Sequence, residues 1–147
     1  MISFPEIAYS WRKVMPQLAE AGYRVIAPDL RGFGLTAGWD AKYDCDLSLF
    51  RPLNVIRDIL GLLIGLNIGR VKMLVGHDYG ATVAAYCSLI RPDIFQSLTL
   101  MSAPFSGPPS LDQERPDVDI MSDLRQLARP RKHYQQYFST RNANKDM

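Results

Sequence analysis

The first clear period along the chain is helical. In AYSWRKVMPQLAEAG, Trp11, Val14, Leu18 and Ala21 fall on one face, and Gly22 follows where a helix commonly ends. The next run, YRVIAPDL, is compact, apolar and β-branched and is closed by Pro28, the pattern of a buried strand entering a loop. Glycine and turn formers crowd DLRGFGLTAGWD, which reads as that loop. A long apolar-periodic segment from Leu49 to Leu66 predicts a second helix, and VKMLVG a second buried strand. YGATVAAYCSLIRP predicts a third helix stopped by Pro92, and SLTLMSAP a third strand. Helices alternating with near-continuous apolar strands define an α/β fold, a mostly parallel sheet flanked by helices. After Ala103 the texture changes: PFSGPPSLDQERPDVD is proline-rich and polar, and the remainder has patchy helical periodicity. The chain therefore divides into a core over residues 1–105 and an appended, largely helical segment over 106–147.

Composition narrows the function classes. With 47% hydrophobic and 22% charged residues in 147, the chain is a soluble globular one rather than a disordered one. The net charge is only +2, and the one basic cluster, Arg125, Arg129, Arg131 and Lys132, shares its segment with Asp119 and Asp123. Such a mixture reads as a solvated face, not a nucleic-acid or anionic-membrane surface. ILGLLIGLNI, Ile59 to Ile68, is about half the length needed to cross a bilayer, so a buried helix is expected and no membrane span. No basic stretch followed by an apolar one opens the chain, which makes the cytoplasm the expected location. Cys45 and Cys87 are expected as ordinary core thiols. His77 and His133 have no second ligand at metal spacing; no metal and no cofactor is expected.

The chemistry concentrates in VGHDYGATV, Val75 to Val83. Asp78 follows a predicted strand and precedes a predicted helix, and ligands bind open α/β sheets at that carboxyl end. Gly76 and Gly80 complete a Gly-x-Asp-x-Gly pattern, a nucleophile elbow with Asp in place of Ser. Small residues there let a tight turn pack without Cβ clashes and thrust the middle side chain outward. The pattern alone also fits an ordinary turn aspartate; the strand before it and the helix after it favour the elbow.

FPEIAYSWRKVMPQLAEAGYRVIAPDLRGFG, followed by GHDYG and APF, resembles the epoxide hydrolase branch of the α/β-hydrolase fold family, from Phe4 to about Phe105. The resemblance implies a small-molecule epoxide as substrate. Asp78 would open the ring as nucleophile, forming a covalent ester that a histidine-activated water hydrolyses to a diol. A carboxylate suits this step because, with an ordinary pKa near ~4, it is ionised at neutral pH and needs no base. The oxyanion of ester cleavage would take one donor from the backbone N–H of Tyr79. By resemblance the second donor is the backbone N–H of Phe4, although Ile2 and Ser3 stand where the family has His and Gly. Tyr134 in KHYQQYF resembles a cap tyrosine that donates to the epoxide oxygen, with Tyr137 its competitor and plain aromatic packing the alternative. Residues 106–147 would be the beginning of that helical cap.

Neither histidine is well placed as the base. Successive side chains at a strand end point to opposite faces, so His77 is expected to aim away from Asp78 and to be structural. His133 lies in the cap segment. Asp29 and Arg31 in PDLRGFG are expected as a loop-ordering ion pair or as contacts to the cap, and Trp39 as loop packing. In this fold the acid and the histidine follow the nucleophile in chain order, beyond the cap. The expectation is therefore a partial copy of the fold that is inactive in turnover by itself. The resemblance also implies a core strand between YRVIAPDL and VKMLVG, and without it the sheet is expected to have an internal gap. Two alternatives are a dehalogenase using the same Asp78, against which Tyr79 counts, and a non-catalytic interaction module.

Overall fold

The computed structural model describes residues 6–40, 42–103, 105, 107, 134–138 and 140–143. They fall into two compact units, one of Met1–Asp40 with Asp46–Ser106 and one of Ala41–Cys45 with Gly107–Met147.

The first unit opens with a 3-10 helix, Ala8–Lys13, that runs into the short α1, Met15–Glu20, with Pro16 in its first turn. Gly22 at φ +89° ends α1: its N–H donates to the carbonyl of Ala19, and that of Tyr23 to Leu18. Both are the closing bonds of a Schellman turn, as the sequence predicts for Gly22. The segment predicted as a buried strand, residues 23–30, forms no strand. Tyr23 and Ile26 are exposed, and only Leu30 is buried. A strand exists through its ladder partners, and the described residues supply none for this segment.

α2, Pro52–Gly65, follows a 3-10 helix at Leu47–Phe50. Proline at its start lacks the N–H that would have no partner there in any case. Val55, Ile56, Ile59 and Leu63 form its buried stripe, whereas Ile64 faces solvent. The helix ends in a second Schellman turn with Asn67 at φ +54°: Ile68 N–H donates to the Leu63 carbonyl at 2.8 Å, and Asn67 N–H to Ile64 at 2.9 Å.

β1, Leu74–His77, and β2, Leu98–Met101, pair in parallel with Leu74 opposite Leu98 and His77 opposite Met101. An isolated bridge between Val71 and Phe95 continues the pairing outward. Parallel neighbours need a crossover, here α3, Tyr79–Ile90. Ala81, Val83, Ala84, Ala85 and Cys87 of α3 are buried, and the small alanines let the helix lie close to other backbone. α3 stops at Arg91, whose φ of −132° and ψ of 62° lie outside the helical region, because Pro92 disfavours the helical conformation in the residue before it. The core joins Leu30, the α2 stripe, Leu74, Val83, Ala84, Cys87 and Phe95. Each fully buried Val or Leu there contributes about 1.5–3 kcal/mol relative to exposure. No described helix is long and apolar enough to cross a membrane.

The second unit holds α4, Tyr134–Phe138. Arg141 pairs with Asp44 at 2.6 Å and lies 4.6 Å from the ring centre of Tyr43, which ties the 41–45 segment to the end of the chain.

Candidate active site at the strand-to-helix turn

Asp78 is the single residue between β1 and α3. The strand runs to His77, one residue beyond the VKMLVG run that the sequence predicts as a strand. Asp78 sits at φ +53°, ψ −126°, a region that glycine occupies freely and other residues only at a cost of about 1–3 kcal/mol. Two neighbours hold it there. Its N–H donates to the Met101 carbonyl at 3.1 Å, extending the ladder one residue past the paired strands, and its carbonyl accepts from Ala81 N–H at 2.9 Å.

The glycine before it is required by the same close turn. A Cβ on Gly76 would lie 2.6 Å from the Ala81 Cα and 2.8 Å from its nitrogen, and would strike the Gly80 carbonyl. The first turn of α3 therefore folds directly over the end of β1. This is why Gly-x-Asp-x-Gly becomes an elbow here and not an ordinary turn.

The Asp78 carboxylate is half-buried, and its Oδ1 accepts the backbone N–H of Tyr79 at 2.5 Å. Among the described residues no donor reaches Oδ2. The two oxygens are thus inequivalent: one is held by the first amide of α3, and the other has no donor among the described residues. The Tyr79 hydroxyl donates to the Phe50 carbonyl at a long 3.4 Å, and burial raises the pKa of its phenol. That contact links the turn to the entry of α2.

The other predicted residues distribute differently. Phe4 and His133 lie outside the described residues. Tyr134 opens α4 in the second unit, 52% exposed, with its ring edge-on to Phe138 at 6.2 Å. His77 is half-buried, its Nδ1 has no hydrogen-bond partner, and no hydrogen bond joins it to Asp78. No group of described residues could hold a metal ion.

Asp29 and Arg31 do not pair with each other. Arg31 makes a two-point ion pair with Asp58 of α2, Nε to Oδ2 at 2.9 Å and Nη2 to Oδ1 at 2.6 Å, and these bonds raise the arginine pKa. Asp29 Oδ1 instead accepts the Ala8 N–H at 2.6 Å, fixing the entry to the first 3-10 helix. Both contacts order the glycine-rich loop, but through partners far along the chain. Trp39 is 59% exposed rather than packed in the loop.

One residue near the turn escaped the sequence reading. Ser102, immediately after β2, has φ +65°. It stands one step past Met101, as Asp78 stands one step past the Met101 partner His77. The small residues after the apolar run in SLTLMSAP are the sequence signal that could have marked it. Farther along, Phe105 packs edge-on against Tyr86 of α3 at 5.3 Å, anchoring the segment that leaves the strand.

Comparison with known proteins agrees with this architecture. The α/β hydrolase fold family model matches residues 3–145, and the chain belongs to that family. It is 45% identical over 102 residues to an epoxide hydrolase of Caballeronia sordidicola, covering 69% of this chain and 29% of that protein. Against epoxide hydrolase B of Mycobacterium tuberculosis it is 36% identical over 143 residues, 92% of this chain and 38% of the relative. The solved structure of potato epoxide hydrolase I superposes with a TM-score of 0.73 at 36% identity, covering 96% of this chain and 41% of the potato chain. The chain thus spans about a third of the length of these curated relatives.

Proposed function

We propose that Asp78 is the nucleophile of an epoxide hydrolase and that these residues carry the ring-opening half of its reaction. The observation that carries this reading is the inequivalence of the two carboxylate oxygens at a strained turn. Oδ1 rests on the Tyr79 amide, and Oδ2 has no donor among the described residues. Oδ2 attacks the less hindered epoxide carbon, the carbon–oxygen bond opens, and the alkoxide takes a proton from the Tyr134 hydroxyl, later restored from water. The product is a hydroxyalkyl ester of Asp78. In its hydrolysis, negative charge develops on the carbonyl oxygen already facing the Tyr79 N–H, with the Phe4 N–H as second donor. The similarity to epoxide hydrolases supports the substrate class. Residues from 106 onward are read as the start of the cap that brings Tyr134.

The second half-reaction needs a base to activate water. No described histidine or carboxylate hydrogen-bonds the Asp78 carboxylate. A polypeptide of residues 1–147 is therefore expected to form the ester and to release no diol catalytically. Intact-mass spectrometry after incubation with a reactive epoxide, with peptide mapping and a parallel diol assay, tests both halves. An adduct on Asp78 that is absent in Asp78→Asn supports the assignment. An undiminished adduct in that variant refutes the nucleophile, and sustained diol release refutes the missing base.

A further inference from the structure

Asp78 and Ser102 occupy equivalent places at the carboxyl ends of neighbouring parallel strands. His77 and Met101 are the last register pair, and each is followed by a non-glycine residue with positive φ, +53° at Asp78 and +65° at Ser102. A single peptide group connects them: the Met101 carbonyl, bonded to the Ser102 nitrogen, accepts the Asp78 N–H at 3.1 Å. Side chains at matching register on parallel strands start from the same face of a sheet.

Ser102 holds a backbone conformation that favours glycine. Its side chain is exposed, and its hydroxyl makes no hydrogen bond among the described residues. A small exposed donor, one residue past the strand that pairs with β1 and level in register with Asp78, has chemistry to offer a ligand. Strain retained at such a place points to function more than to packing.

From this juxtaposition we infer that Ser102 is a specificity-determining residue of the Asp78 site, donating a hydrogen bond to an oxygen substituent on the carbon next to the epoxide ring. The inference rests on Asp78 being the nucleophile. It narrows the substrate class to epoxides of the glycidyl type, which carry a hydroxyl or ether oxygen one carbon from the ring. Asp78 and Ser102 each follow a member of the same register pair on neighbouring strands, so the carbon next to the ring is the substituent position assigned to Ser102. The bond formed at Asp78 is the same for any epoxide; only recognition of the substituent is assigned to Ser102.

Glycidol and butylene oxide test this directly, since they differ only by a hydroxyl in place of a methyl. The measured quantity is the ratio of their rates of adduct formation on Asp78 by intact mass. Their intrinsic reactivities cancel when wild type and variant are compared. Ser102→Ala is expected to lower the glycidol-to-butylene oxide ratio by about three- to tenfold, the worth of one neutral hydrogen bond, by slowing glycidol alone. Ser102→Gly, which relieves the positive φ, is expected to lose the same preference while melting at a higher temperature. If both variants keep the wild-type ratio within about twofold, Ser102 is a turn residue and the inference is overturned while the nucleophile stands. If wild type forms no adduct with either epoxide, the nucleophile assignment fails and this inference with it.

Discussion

The Ala81 Cα lies 2.6 Å from the point that a Cβ on Gly76 would occupy. The end of β1 and the first turn of α3 thus meet with no room for a methyl group, and Gly76 is itself buried. Overpacking of this kind costs about 1–3 kcal/mol. Gly76→Ala is expected to lower the stability measured by urea unfolding by that amount and to slow adduct formation, because the clash with Gly80 and Ala81 falls on the turn that holds Asp78. A variant as stable as wild type would mean that the turn opens freely.

Asp78 gives the opposite sign. Replacing it by glycine removes about 1–3 kcal/mol of backbone strain and forfeits only a few tenths for the lost bond to the Tyr79 N–H. Asp78→Gly is expected to gain roughly 1 kcal/mol while forming no epoxide adduct. Asp78→Asn keeps the strain and should gain nothing in stability. Equal unfolding midpoints for Asp78→Gly and wild type would show that the turn is not strained.

At Tyr134 the expectation concerns rate alone. Loss of a proton donor to a developing alkoxide costs tenfold or more, so Tyr134→Phe should slow adduct formation by at least about that factor. The ring that packs edge-on against Phe138 is kept in this variant, so the fold should be retained. Tyr137→Phe serves as comparison. If that variant is the slower of the two, the donor is Tyr137.

Cys87 sets a pH dependence. Its side chain is fully buried, and burial pushes the thiol from 9.0 up to about 11. A folded pKa above the unfolded one means that the folded state holds the proton more tightly. Its contribution is complete below pH 9.0, falls through the interval up to about 11, and is lost above it. Cys87→Ala is therefore expected to flatten the decline in stability over that interval. Native protein at pH 8 should react with a thiol reagent at the half-buried Cys45 and not at Cys87, and both should react in denaturant.

How far each feature was legible depends on how local its cause is. Gly22 ends α1 and Pro92 ends α3 through the sterics of their own and adjacent residues. Asn67 closes α2 in the place where glycine is commonest, and sequence reading passed over it because asparagine tolerates that conformation less freely. The apolar run at residues 23–30 misled for the converse reason. Periodicity reports what a segment can bury, but a strand also needs a neighbour, and the described residues provide none.

The candidate site divides along the same line. Gly76, Asp78 and Gly80 between an apolar run and a helix are enough to determine an elbow, since its geometry is set by contacts among residues a few places apart. The sequence by itself thus determined the α/β class, the turn and the residue at its tip. Only the tertiary structure decided that Arg31 pairs with Asp58 rather than Asp29, that among the described residues one carboxylate oxygen of Asp78 is held and the other is not, and that Ser102 is level in register with Asp78 on the neighbouring strand. Those facts follow from parallel pairing across a whole crossover helix. Residues distant in the chain become neighbours there through backbone hydrogen bonds that carry no mark of side-chain identity.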